Sequence, residues 1–589
     1  MFRKVLVANR GEIAVRVFRT LRELEIGSVA VYSDADRGSI HASFADEAFA
    51  LGGRTAAESY LDVGKLIAAA EASGAEAVHP GYGFLAESAG FARAVESCGL
   101  VWIGPPPEAI ELMGVKTVAR ARMQAAGVPV VPGSDGPVES AEQVAELGEA
   151  LGYPLLVKAA AGGGGKGMRV VASPDELKDA LASARREGQA YFADPSVYVE
   201  RYLEDPRHVE VQVLADAYGS VIHLGERDCT IQRRHQKLVE ETPSPAVSPE
   251  LRKRIGRIAV DAARAVGYRS AGTIEGLLGP DGEYFFLEMN TRIQVEHTVT
   301  ELVTGLDLVR EQVLIAAGEP LSLRQEDVVL HGHAIECRIN AEDPSNGFLP
   351  SPGRIASYRE PAGPGVRVDS GVASGSEVSD LYDPLLAKLV VHDTDRDRAR
   401  RRMLRALAEY EIGGVETLVG FHRALLSHPC FAAAETCRGL VESEKLAERA
   451  KQFSHEATRL AAAADGALST KTTIVELDGR RVEVKVSRPE PPYRALARRR
   501  RERSSRAARA GTADVVVTPM QGTVLEVRVS DGDEVTSGTV ICIVEAMKME
   551  NEVQAHRGGV VAGLAVSPGQ QVAAGQTICV VEPGDGSAG

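Results

Sequence analysis

One sequence pattern occurs twice near the C-terminus of the chain. The segments Thr518–Glu545 and Ala555–Glu582 align without a gap, and each consists of short Val- and Ile-rich runs separated by glycine-containing turns. Two units this small can bury their apolar faces only against each other. The repeat therefore predicts a small all-β sandwich with approximate twofold symmetry. Matched identities link Gly522 with Gly559, Gly532 with Gly569, Val535 with Val572, Gly538 with Gly575, and Cys542 with Cys579.

The two repeats are joined by the segment Glu545-Ala546-Met547-Lys548-Met549-Glu550-Asn551. The symmetry predicts that this segment is a hairpin connecting the halves, with Lys548 at its turn. Most lysines at such turns are simply solvated. Here two methionines flank the lysine at a position where polar residues are expected, which indicates that Lys548 has a specific function.

The composition limits what the rest of the chain can be. A chain of 589 residues is too long for one core, and 44% hydrophobic with 25% charged residues is typical of soluble multidomain proteins. The net charge of −15 argues against a nucleic-acid binder. The N-terminal "MFRKVLVANRGE" is no signal peptide, and no apolar run is long enough to span a membrane. Seven cysteines without a Cys-x-x-Cys spacing predict reduced thiols in a cytoplasmic protein.

The N-terminal region alternates strands and helices. Apolar Val5–Ala8 and Ile26–Tyr32 flank the helically spaced Glu12–Leu24, and the pattern recurs, so residues 1–113 are predicted to be doubly wound α/β. The loop "HPGYGFLAE" follows a strand, where such sheets bind ligands. Tyr82 in this loop is a candidate cofactor-binding residue, although a purely structural turn explains the loop equally well.

A glycine-rich loop, "AGGGGKGM", lies between two strand-like runs, "PLLVK" and "MRVVA". A domain linker is a poor interpretation, because strands flank the loop directly, as in a hairpin. It is not a Walker A loop, since Ala160 and Gly167 replace its first glycine and its Ser/Thr. The pattern favours a flexible flap over phosphates, with Lys158 and Lys166 supplying positive charge.

Two carboxylates on a second hairpin form a candidate metal site. "GPDG" predicts a turn between strands Thr273–Leu278 and Glu283–Met289. Centring the hairpin on this turn places Glu275 opposite Phe286, with Glu288 as a diagonal neighbour on the same face. Like charges this close need a cation between them, unless both carboxylates are solvated on an outer face. Oxygen ligands suit a Mg²⁺ ion that also binds a polyphosphate.

Polar residues then alternate with mostly apolar ones from Glu288 to Glu296. The period of two predicts an extended segment with five polar groups on one side. A plain edge strand has the same pattern, but the position directly after a carboxylate pair favours the floor of an active site. The five residues are Glu288, Asn290, Arg292, Gln294 and Glu296.

Together these motifs resemble the biotin-dependent carboxylases. Ala-Met-Lys-Met is similar to the biotin carrier motif, whereas lipoyl domains usually have Asp or Glu before the lysine and Ala after it. Residues 1–445 resemble the biotin carboxylase component, an ATP-grasp enzyme, through "GGGGKGMRVV", "ERDCTIQRRHQK", "EMNTRIQVEH", "HAIECRINAED" and "FLPSPG". The resemblance implies α/β and α+β domains at 1–113, 114–320 (ATP-grasp) and 321–445, a linker or reduced docking region at 446–512, and a symmetric all-β biotinyl/lipoyl-type sandwich at 513–583.

The resemblance also implies a role for each motif residue. Lys548 would carry biotin, Glu296 would be the catalytic base, and Arg338 would bind the biotin ureido oxygen. Bicarbonate would be held by Lys237, Arg292, Gln294 and Val295. Mg²⁺ or Mn²⁺ would be held by Glu275, Glu288 and Asn290. ATP would be held by Lys116, Lys158, Glu200, Leu203, His208, Gln232 and His235, with Gly163, Gly164 and Gly165 over the phosphates.

These residue types suit the implied chemistry. Bicarbonate is a poor electrophile, so it must be phosphorylated by ATP, which requires a metal across the phosphates and a base. Arg292 can grip a planar anion in a bidentate fork. Arg338 is permanently cationic and can stabilise the charge that develops on the ureido oxygen when biotin loses a proton. Taken alone, Arg338 and Lys237 could equally form surface salt bridges.

Residues 446–512 have a different character. Thr472–Val486 predicts an Asp-Gly hairpin, and eight arginines against one glutamate lie between Arg494 and Arg509. A solvated linker is the favoured interpretation, ahead of electrostatic docking on an acidic partner and, far behind, nucleic acid.

The sequence as a whole predicts the α-subunit of an acyl-CoA carboxylase. ATP, bicarbonate and biotin would react on this chain, and no length remains for a carboxyltransferase, so a separate β-subunit would carboxylate acetyl- or propionyl-CoA. Biotin protein ligase and self-association of the carboxylase part are also expected, without nucleic acid or membrane. Single-chain pyruvate and urea carboxylases need hundreds more residues. A lipoate-carrying ATP-grasp ligase and a non-catalytic biotin scaffold remain as alternatives.

Overall fold

The computed structural model describes residues 1–134, 136–159, 168–192, 195–453, 468–477, 480–489, 514–546 and 549–582. The chain divides into two compact units. The first comprises Met1–Ala341, Gly353–Glu377 and Leu385–Ala447, and the second comprises Glu342–Pro352, Val378–Pro384 and Glu448–Gly589. Lys548, Gly163, Gly164, Gly165 and the arginine-rich run lie outside the described residues. No helix in the described part of the chain has both the length and the apolar character needed to cross a membrane.

The first unit begins with a five-stranded sheet in which all neighbouring strands are parallel. Val5, Leu6 and Val7 are fully buried, as expected for a strand covered on both faces. The predicted doubly wound fold is confirmed. Its strands, from edge to edge, are Glu47–Ala50, Gly27–Tyr32, Lys4–Val7, Ala77–His79 and Val101–Trp102, and its helices are Gly11–Glu23, Ile40–Phe44, Val63–Ser73, Ala89–Ser97 and Pro107–Gly114.

A three-stranded antiparallel sheet follows. The strand Leu155–Ala159 lies between Met168–Val171 and Val197–Arg201. Lys158 pairs with Met168, so the strands predicted to flank the glycine-rich loop do form a hairpin. The nearby helices are Lys116–Ala125, Ala141–Leu151 and Leu177–Phe192.

The largest element of the first unit is an eight-stranded antiparallel sheet. The helix Pro249–Ala265 packs on it, and Val211, Ile274 and Ala259 share one apolar core. The helices His297–Thr304 and Leu308–Ala316 also belong to this unit. This sheet contains strands from both sides of the predicted boundary between residues 320 and 321. The predicted domain boundaries stay predictions. Its strands in spatial order are Tyr284–Asn290, Ser270–Leu278, Arg207–Ala215, Val221–Arg233, Gln236–Thr242, His333–Asn340, Leu385–Asp393 and Val366–Ser370.

Three further helices of the first unit, Arg396–Glu409, Val419–Leu426 and Pro429–Ala432, follow this sheet in the chain, and another helix starts at residue 444. The strand Ser357–Arg359 pairs with Glu411–Gly413. The prediction of reduced thiols throughout is wrong at one place. Cys430 and Cys437 form a disulfide with Cα atoms 5.7 Å apart, while the other five cysteines are free. Ala434 and Cys437 adopt positive φ angles, which turn the chain back on itself. Cysteine spacing alone does not reveal such a turn.

The second unit contains the predicted sandwich of two four-stranded sheets and a separate hairpin. The hairpin strands, Leu468–Leu477 and Arg480–Pro489, flank Asp478-Gly479 as predicted. One sheet of the sandwich has the order Val515–Val517, Thr577–Glu582, Gly559–Ala562 and Glu534–Val535. The other has the order Met549–Gln554, Val540–Ala546, Gly522–Val527 and Gln571–Val572.

Each sheet of the sandwich contains strands from both sequence repeats. Gly522 pairs with Val572, and at the symmetry-related place Val535 pairs with Gly559. Both glycines lie under a neighbouring strand: a Cβ atom would be 2.3 Å from the Glu545 carbonyl oxygen at Gly522, and 2.1 Å from that of Glu582 at Gly559. The matched glycines of the two repeats are therefore needed for close strand contact. The strands Val540–Ala546 and Met549–Gln554, which flank Met547 and Lys548 in the sequence, pair with each other, with Ala546 opposite Met549.

The close contact predicts that Gly522→Ala destabilises the sandwich. Because the new methyl group must displace backbone, we expect a loss of about 1–3 kcal/mol, typical of overpacking. Amide hydrogen exchange of Val540–Ala546 in the full chain measures the loss. Gly558→Ala is the matched control, because its Cβ would meet only ordinary contacts, the nearest at 3.5 Å. Equal protection in both variants would contradict the prediction.

Candidate active site

The candidate metal ligands lie on the hairpin formed by Ser270–Leu278 and Tyr284–Asn290, here called the Glu275 hairpin. Glu275 is directly opposite Glu288, and a register shift next to Glu275 leaves Leu287 as an extra residue. The predicted pairing of Glu275 with Phe286 is therefore wrong. The cause is a β-bulge at Leu287, which cannot be found by counting residues from the turn. The bulge brings the two carboxylates closer than expected, as a direct cross-strand pair.

Lys237 joins three buried carboxylates from three elements. Its Nζ lies 2.5 Å from Glu210 Oε2, 2.9 Å from Glu275 Oε1 and 2.6 Å from Glu296 Oε1. The second oxygen of Glu275 contacts His208 Nε2 at 2.8 Å. The neighbouring strands Arg207–Ala215 and Ser270–Leu278 bring Glu210 and Glu275 into direct register, which explains why a cation is required between them.

This arrangement keeps the carboxylates charged. Burial alone would raise the pKa of Glu275, but Lys237 and His208 outweigh it and hold that pKa well below its usual value. Burial is likewise outweighed at Glu296 by Lys237, Arg338 and Arg227, so its pKa is also well below normal. Conversely, although burial opposes its charge, the carboxylates raise the pKa of Lys237 well above its usual value. All three groups are thus ionised near neutral pH.

Arg338 is the second cation that holds Glu296. Its Nη2 donates to Glu296 Oε2 at 2.9 Å, and its Nε donates to Glu240 Oε1 at 2.6 Å. Each carboxylate oxygen of Glu296 therefore has its own cationic donor, Lys237 on one side and Arg338 on the other. The candidate base is oriented from both sides.

The segment after Asn290 is not extended, and this part of the prediction is wrong. The strand ends at Asn290, and residues 291–296 turn into the helix His297–Thr304. The polar groups still converge, because Gln294 Nε2 and Asn290 Nδ2 donate to Glu275 Oε1 at 2.6 and 2.7 Å. Arg292 donates to Asn290 Oδ1 at 2.8 Å. The turn thus achieves the convergence that the alternating pattern predicted.

Two residues outside the turn, Glu87 and Lys388, support it. Arg292 Nε donates to Glu87 Oε2 at 2.9 Å, and the Thr291 N–H donates to the other oxygen of Glu87 at 3.1 Å. Lys388, which is fully buried, donates from Nζ to the carbonyl oxygen of Val295 at 2.9 Å. Both ends of the turn are therefore anchored by charged groups outside it.

Three candidate ATP residues, Lys116, Lys158 and His208, pair with carboxylates. Lys116 Nζ lies 3.3 Å from Glu288 Oε2. Lys158 donates to Glu200 Oε2, and Arg120 donates to Glu200 Oε1 at 2.9 Å. Glu200 thus joins two cations, one from a helix and one from the strand next to its own in the three-stranded sheet.

A surface pocket adjoins these residues. Its lining includes Tyr202, Gln232 and Glu442. His235 is exposed beside Arg234 in the two-residue turn after Val221–Arg233, and both turn residues have positive φ angles. Leu203 is half-buried next to Tyr202. Among the candidate nucleotide residues that the structure describes, Gln232 is the one that lines the pocket directly.

Tyr82 lies in a different environment. Its hydroxyl donates to Glu12, and its ring centroid is 5.8 Å from Lys388 Nζ. Lys388 also lies 3.3 Å from Glu12 Oε2. Tyr82 therefore connects to the candidate bicarbonate residues through Lys388 and the carbonyl oxygen of Val295.

The sequence prediction missed Glu210, Arg227 and Glu240. Arg227 is fully buried and donates to Glu210 Oε1 and Gln294 Oε1, both at 2.6 Å. Glu210 alternates with apolar neighbours, whereas Arg227 lies between Glu226 and Asp228, and Glu240 is followed by Glu241. Both patterns are also those of solvated strands. The sequence signal that could have identified them as buried site residues is a charged residue on a strand of a sheet that is covered on both faces.

Four family models match separate parts of the chain between residues 1 and 581. "Biotin carboxylase, N-terminal domain" matches residues 1–110 and "Carbamoyl-phosphate synthase L chain, ATP binding domain" matches residues 116–324. "Biotin carboxylase C-terminal domain" matches residues 336–443, and "Biotin-requiring enzyme" matches residues 514–581.

Curated relatives agree with these matches. The "Biotin-dependent acyl-coenzyme A carboxylase alpha3 subunit" of Mycobacterium leprae (strain TN) is 45% identical over 590 residues, covering 95% of this chain and 95% of the relative. "Biotin carboxylase 1" of Bacillus subtilis (strain 168) is 52% identical over 436 residues, covering 74% of this chain and 97% of the relative.

Solved structures match the carboxylase part. The biotin carboxylase domain dimer of Hydrogenobacter thermophilus 2-oxoglutarate carboxylase, solved with MgADP, ADP and bicarbonate, is 47% identical with a TM-score of 0.72, covering 76% of this chain and 99% of that one. Biotin carboxylase from Campylobacter jejuni, solved with a β,γ-ATP ligand, is 45% identical with a TM-score of 0.71, covering 74% and 98%.

Fold, site and relatives lead to one conclusion. The parallel N-terminal sheet, the carboxylate-rich site on the large antiparallel sheet and the symmetric sandwich occur here in the order of the matched families. The chain belongs to the family of biotin-dependent acyl-CoA carboxylase α-subunits, in which ATP-dependent biotin carboxylase domains and a biotin carrier domain share one polypeptide.

Proposed function

We propose that the cluster around Lys237 activates bicarbonate with ATP and carboxylates biotin attached to Lys548 of the same chain, with Glu296 as the base. The observation that supports this role is the position of Glu296 between Lys237 at 2.6 Å and Arg338 at 2.9 Å. A buried carboxylate that stays ionised is ready to accept a proton. When Arg338 Nη2 donates its hydrogen bond to the ureido oxygen of biotin instead of to Glu296, Glu296 loses one of its two cationic partners and becomes more basic.

Arg292, Gln294, Val295 and Lys237 are proposed to hold bicarbonate. The Nε and Nη2 groups of Arg292 are engaged by Glu87 and Asn290, and its Nη1 makes only a 3.3 Å contact with the Ile293 carbonyl oxygen. Nη1 is therefore the donor best able to turn to an anion. A planar guanidinium anchored at two other atoms orients such an anion better than a flexible ammonium does.

The ATP phosphates are proposed to lie between the glycine-rich hairpin and the Glu275 hairpin, near Lys116, Lys158 and His208. Glu275, Glu288 and Asn290 fit Mg²⁺ or Mn²⁺, because they offer oxygen ligands and because two opposed carboxylates favour a cation between them. A bound divalent cation would neutralise phosphate charge during phosphoryl transfer. Glu200, Leu203, Gln232 and His235 are proposed to contact the nucleoside, and Tyr82 to act through Lys388.

The second half-reaction requires another protein. A separate carboxyltransferase β-subunit is proposed to transfer the carboxyl group to acetyl- or propionyl-CoA, which the acyl-CoA carboxylase name of the Mycobacterium leprae relative supports. Attachment of biotin to Lys548 would require a biotin protein ligase. Self-association through the carboxylase part is supported by the dimer of the Hydrogenobacter thermophilus domain. A cytoplasmic location suits a protein that uses ATP and coenzyme A esters.

Replacing Glu296 with Gln tests the base. The amide keeps the shape of the side chain but cannot accept the proton, so we expect bicarbonate-dependent ATP hydrolysis to fall about a hundredfold or more. Glu226→Gln is the matched control: Glu226, on a strand of the large sheet, is as buried as Glu296 but pairs with Arg252 instead of Lys237 and Arg338. A near-normal rate in Glu296→Gln would remove Glu296 from this role.

Replacing Lys548 with Ala tests the carrier. We expect loss of streptavidin labelling and of overall carboxylation, with ATP turnover stimulated by free biotin retained, because the two activities lie on separate domains. Lys451→Ala, at an exposed lysine of the second unit, should retain streptavidin labelling and overall carboxylation. Mass spectrometry of the peptide containing Lys548 separates biotin from lipoate. Detection of lipoate would favour the alternative ligase, and loss of free-biotin turnover in Lys548→Ala would contradict separable domains.

Replacing the eight arginines of Arg494–Arg509 with serine at constant length tests the linker. If the segment is only a tether, assembly with the β-subunit should not change. Co-purification and association kinetics at two ionic strengths measure this. Weaker or slower assembly, with the larger effect at low salt, would instead support electrostatic docking.

A further inference from the structure

Two glutamates near Arg338 form a buried like-charged pair. Glu240 on Gln236–Thr242 is directly opposite Glu336 on His333–Asn340, and neither residue is exposed to solvent. Residues directly opposite on antiparallel strands project to the same face of the sheet. Two ionised carboxylates in this position would repel each other where no water can screen them. The pair therefore needs either a cation between the side chains or a shared proton.

The hydrogen bonds show where such a proton fits. Glu240 Oε1 accepts from Arg338 Nε at 2.6 Å, and Glu336 Oε2 accepts from the Thr298 hydroxyl. The other oxygen of each residue, Glu240 Oε2 and Glu336 Oε1, is buried without a hydrogen-bond partner among the described residues. One oxygen is thus left over on each side of the pair. A single O–H···O bond would satisfy both.

We propose that Glu336 is protonated on Oε1 and donates this proton to Oε2 of Glu240, so that the pair carries one negative charge and acts as a positioning device for Arg338. No other group has to supply the proton, since it is the carboxylic-acid proton of Glu336 itself. With Glu240 held from behind, Arg338 Nε has a fixed partner and Nη2 is directed to Glu296. The importance of this orientation rests on the proposed function of Arg338.

The surrounding charges favour this assignment. Glu240 faces Arg338, Glu296 and Lys237, and burial raises its pKa to about 7 against the effect of Arg338. Glu336 faces Glu240, Lys388 and Arg338, with Thr298 as its hydrogen-bonding neighbour. Burial and the charge of Glu240 raise the pKa of Glu336 well above its usual value. Of the two, Glu240 has the direct ion pair with Arg338, so Glu336 is the residue that keeps the proton.

The sign of the pH dependence follows. A carboxyl group whose pKa is raised by folding binds its proton more tightly in the native state, so its contribution to stability is lost as pH rises through the native pKa. Above that pH the second charge forms next to Glu240 and competes for Arg338. Both stability and the activity that depends on Arg338 should therefore decline on the alkaline side.

Infrared difference spectroscopy of the full chain at pH 7 tests the protonation state without any substrate. We expect the C=O stretch of a protonated carboxyl group in the wild type, and its loss in Glu336→Gln. Absence of the band in the wild type would overturn the proposal. This readout needs neither ATP nor biotin, so it is independent of the function proposed for Arg338. If the band is present but Arg338 proves dispensable for activity, the shared proton stands and the function proposed for Arg338 is refuted.

Kinetics test the positioning. In Glu336→Gln the amide can still donate an N–H to Glu240 and accept from Thr298, so kcat/KM for free biotin should stay within about threefold of the wild-type value. In Glu336→Ala and Glu240→Gln it should fall about ten- to hundredfold, as is typical when a partner that orients a functional group is removed. Glu336→Gln should also lack the alkaline decline. An equal loss in Glu336→Gln and Glu240→Gln, or an unchanged alkaline limb in Glu336→Gln, would overturn the proposal.

Glu241→Gln is the matched control. Glu241 is adjacent in the same strand and equally buried, but it pairs with His333 and Arg396, and its pKa is lowered because these partners outweigh burial. The substitution should lower stability yet keep the alkaline limb of the wild-type profile. Loss of that limb in Glu241→Gln would show that the decline reports general destabilisation, and would overturn the assignment to Glu336.

Discussion

The ammonium group of Lys237 is the interaction on which the first unit depends most. Glu210, Glu275 and Glu296 come from two strands and the turn after a third, and Lys237 contacts all three within 2.9 Å. Without it, three carboxylates would remain in a region that excludes water, at a cost of several kcal/mol each. The strands can pack with this register only while the lysine is charged. Stability and the proposed chemistry therefore rely on the same cation.

Around this cation the site is a network in which each carboxylate is shared between two basic side chains. Glu296 lies between Lys237 and Arg338, Glu210 between Lys237 and Arg227, and Glu275 between Lys237 and His208. Such a network is satisfied before substrates arrive. Anions and metal ions can then bind by exchanging partners, which avoids the cost of creating or removing isolated buried charges. The protein thus pre-organises the electrostatics that ATP and bicarbonate need.

Much of the fold could be predicted from the sequence, because its signals are local. The parallel N-terminal sheet, the glycine-rich hairpin, the Asp-Gly hairpin and the symmetric sandwich follow from alternation, turn residues and the repeat. The predicted site residues around Glu275 do converge. The bulge at Leu287 and the turn after Asn290 could not be predicted, since each depends on the packing of distant segments. The Cys430–Cys437 disulfide could not be predicted because it needs a local turn with positive φ angles at Ala434 and Cys437, which the cysteine spacing does not reveal. Glu210 was missed because buried and solvated strands share one alternating pattern, and Arg227 and Glu240 were missed because they lie next to other charged residues, as is typical of solvated segments.

The exchange of strands between the two halves of the C-terminal sandwich has a consequence for biosynthesis. The strand Gly522–Val527 pairs with Gln571–Val572, and Glu534–Val535 pairs with Gly559–Ala562, so neither repeat can complete a sheet alone. The strands that flank Lys548, Val540–Ala546 and Met549–Gln554, are made before the second repeat leaves the ribosome, but the sandwich is complete only when the strand Thr577–Glu582 is in place. A modifying enzyme that requires the folded sandwich would therefore act only on chains that contain both repeats, and chains truncated within the second repeat would escape labelling.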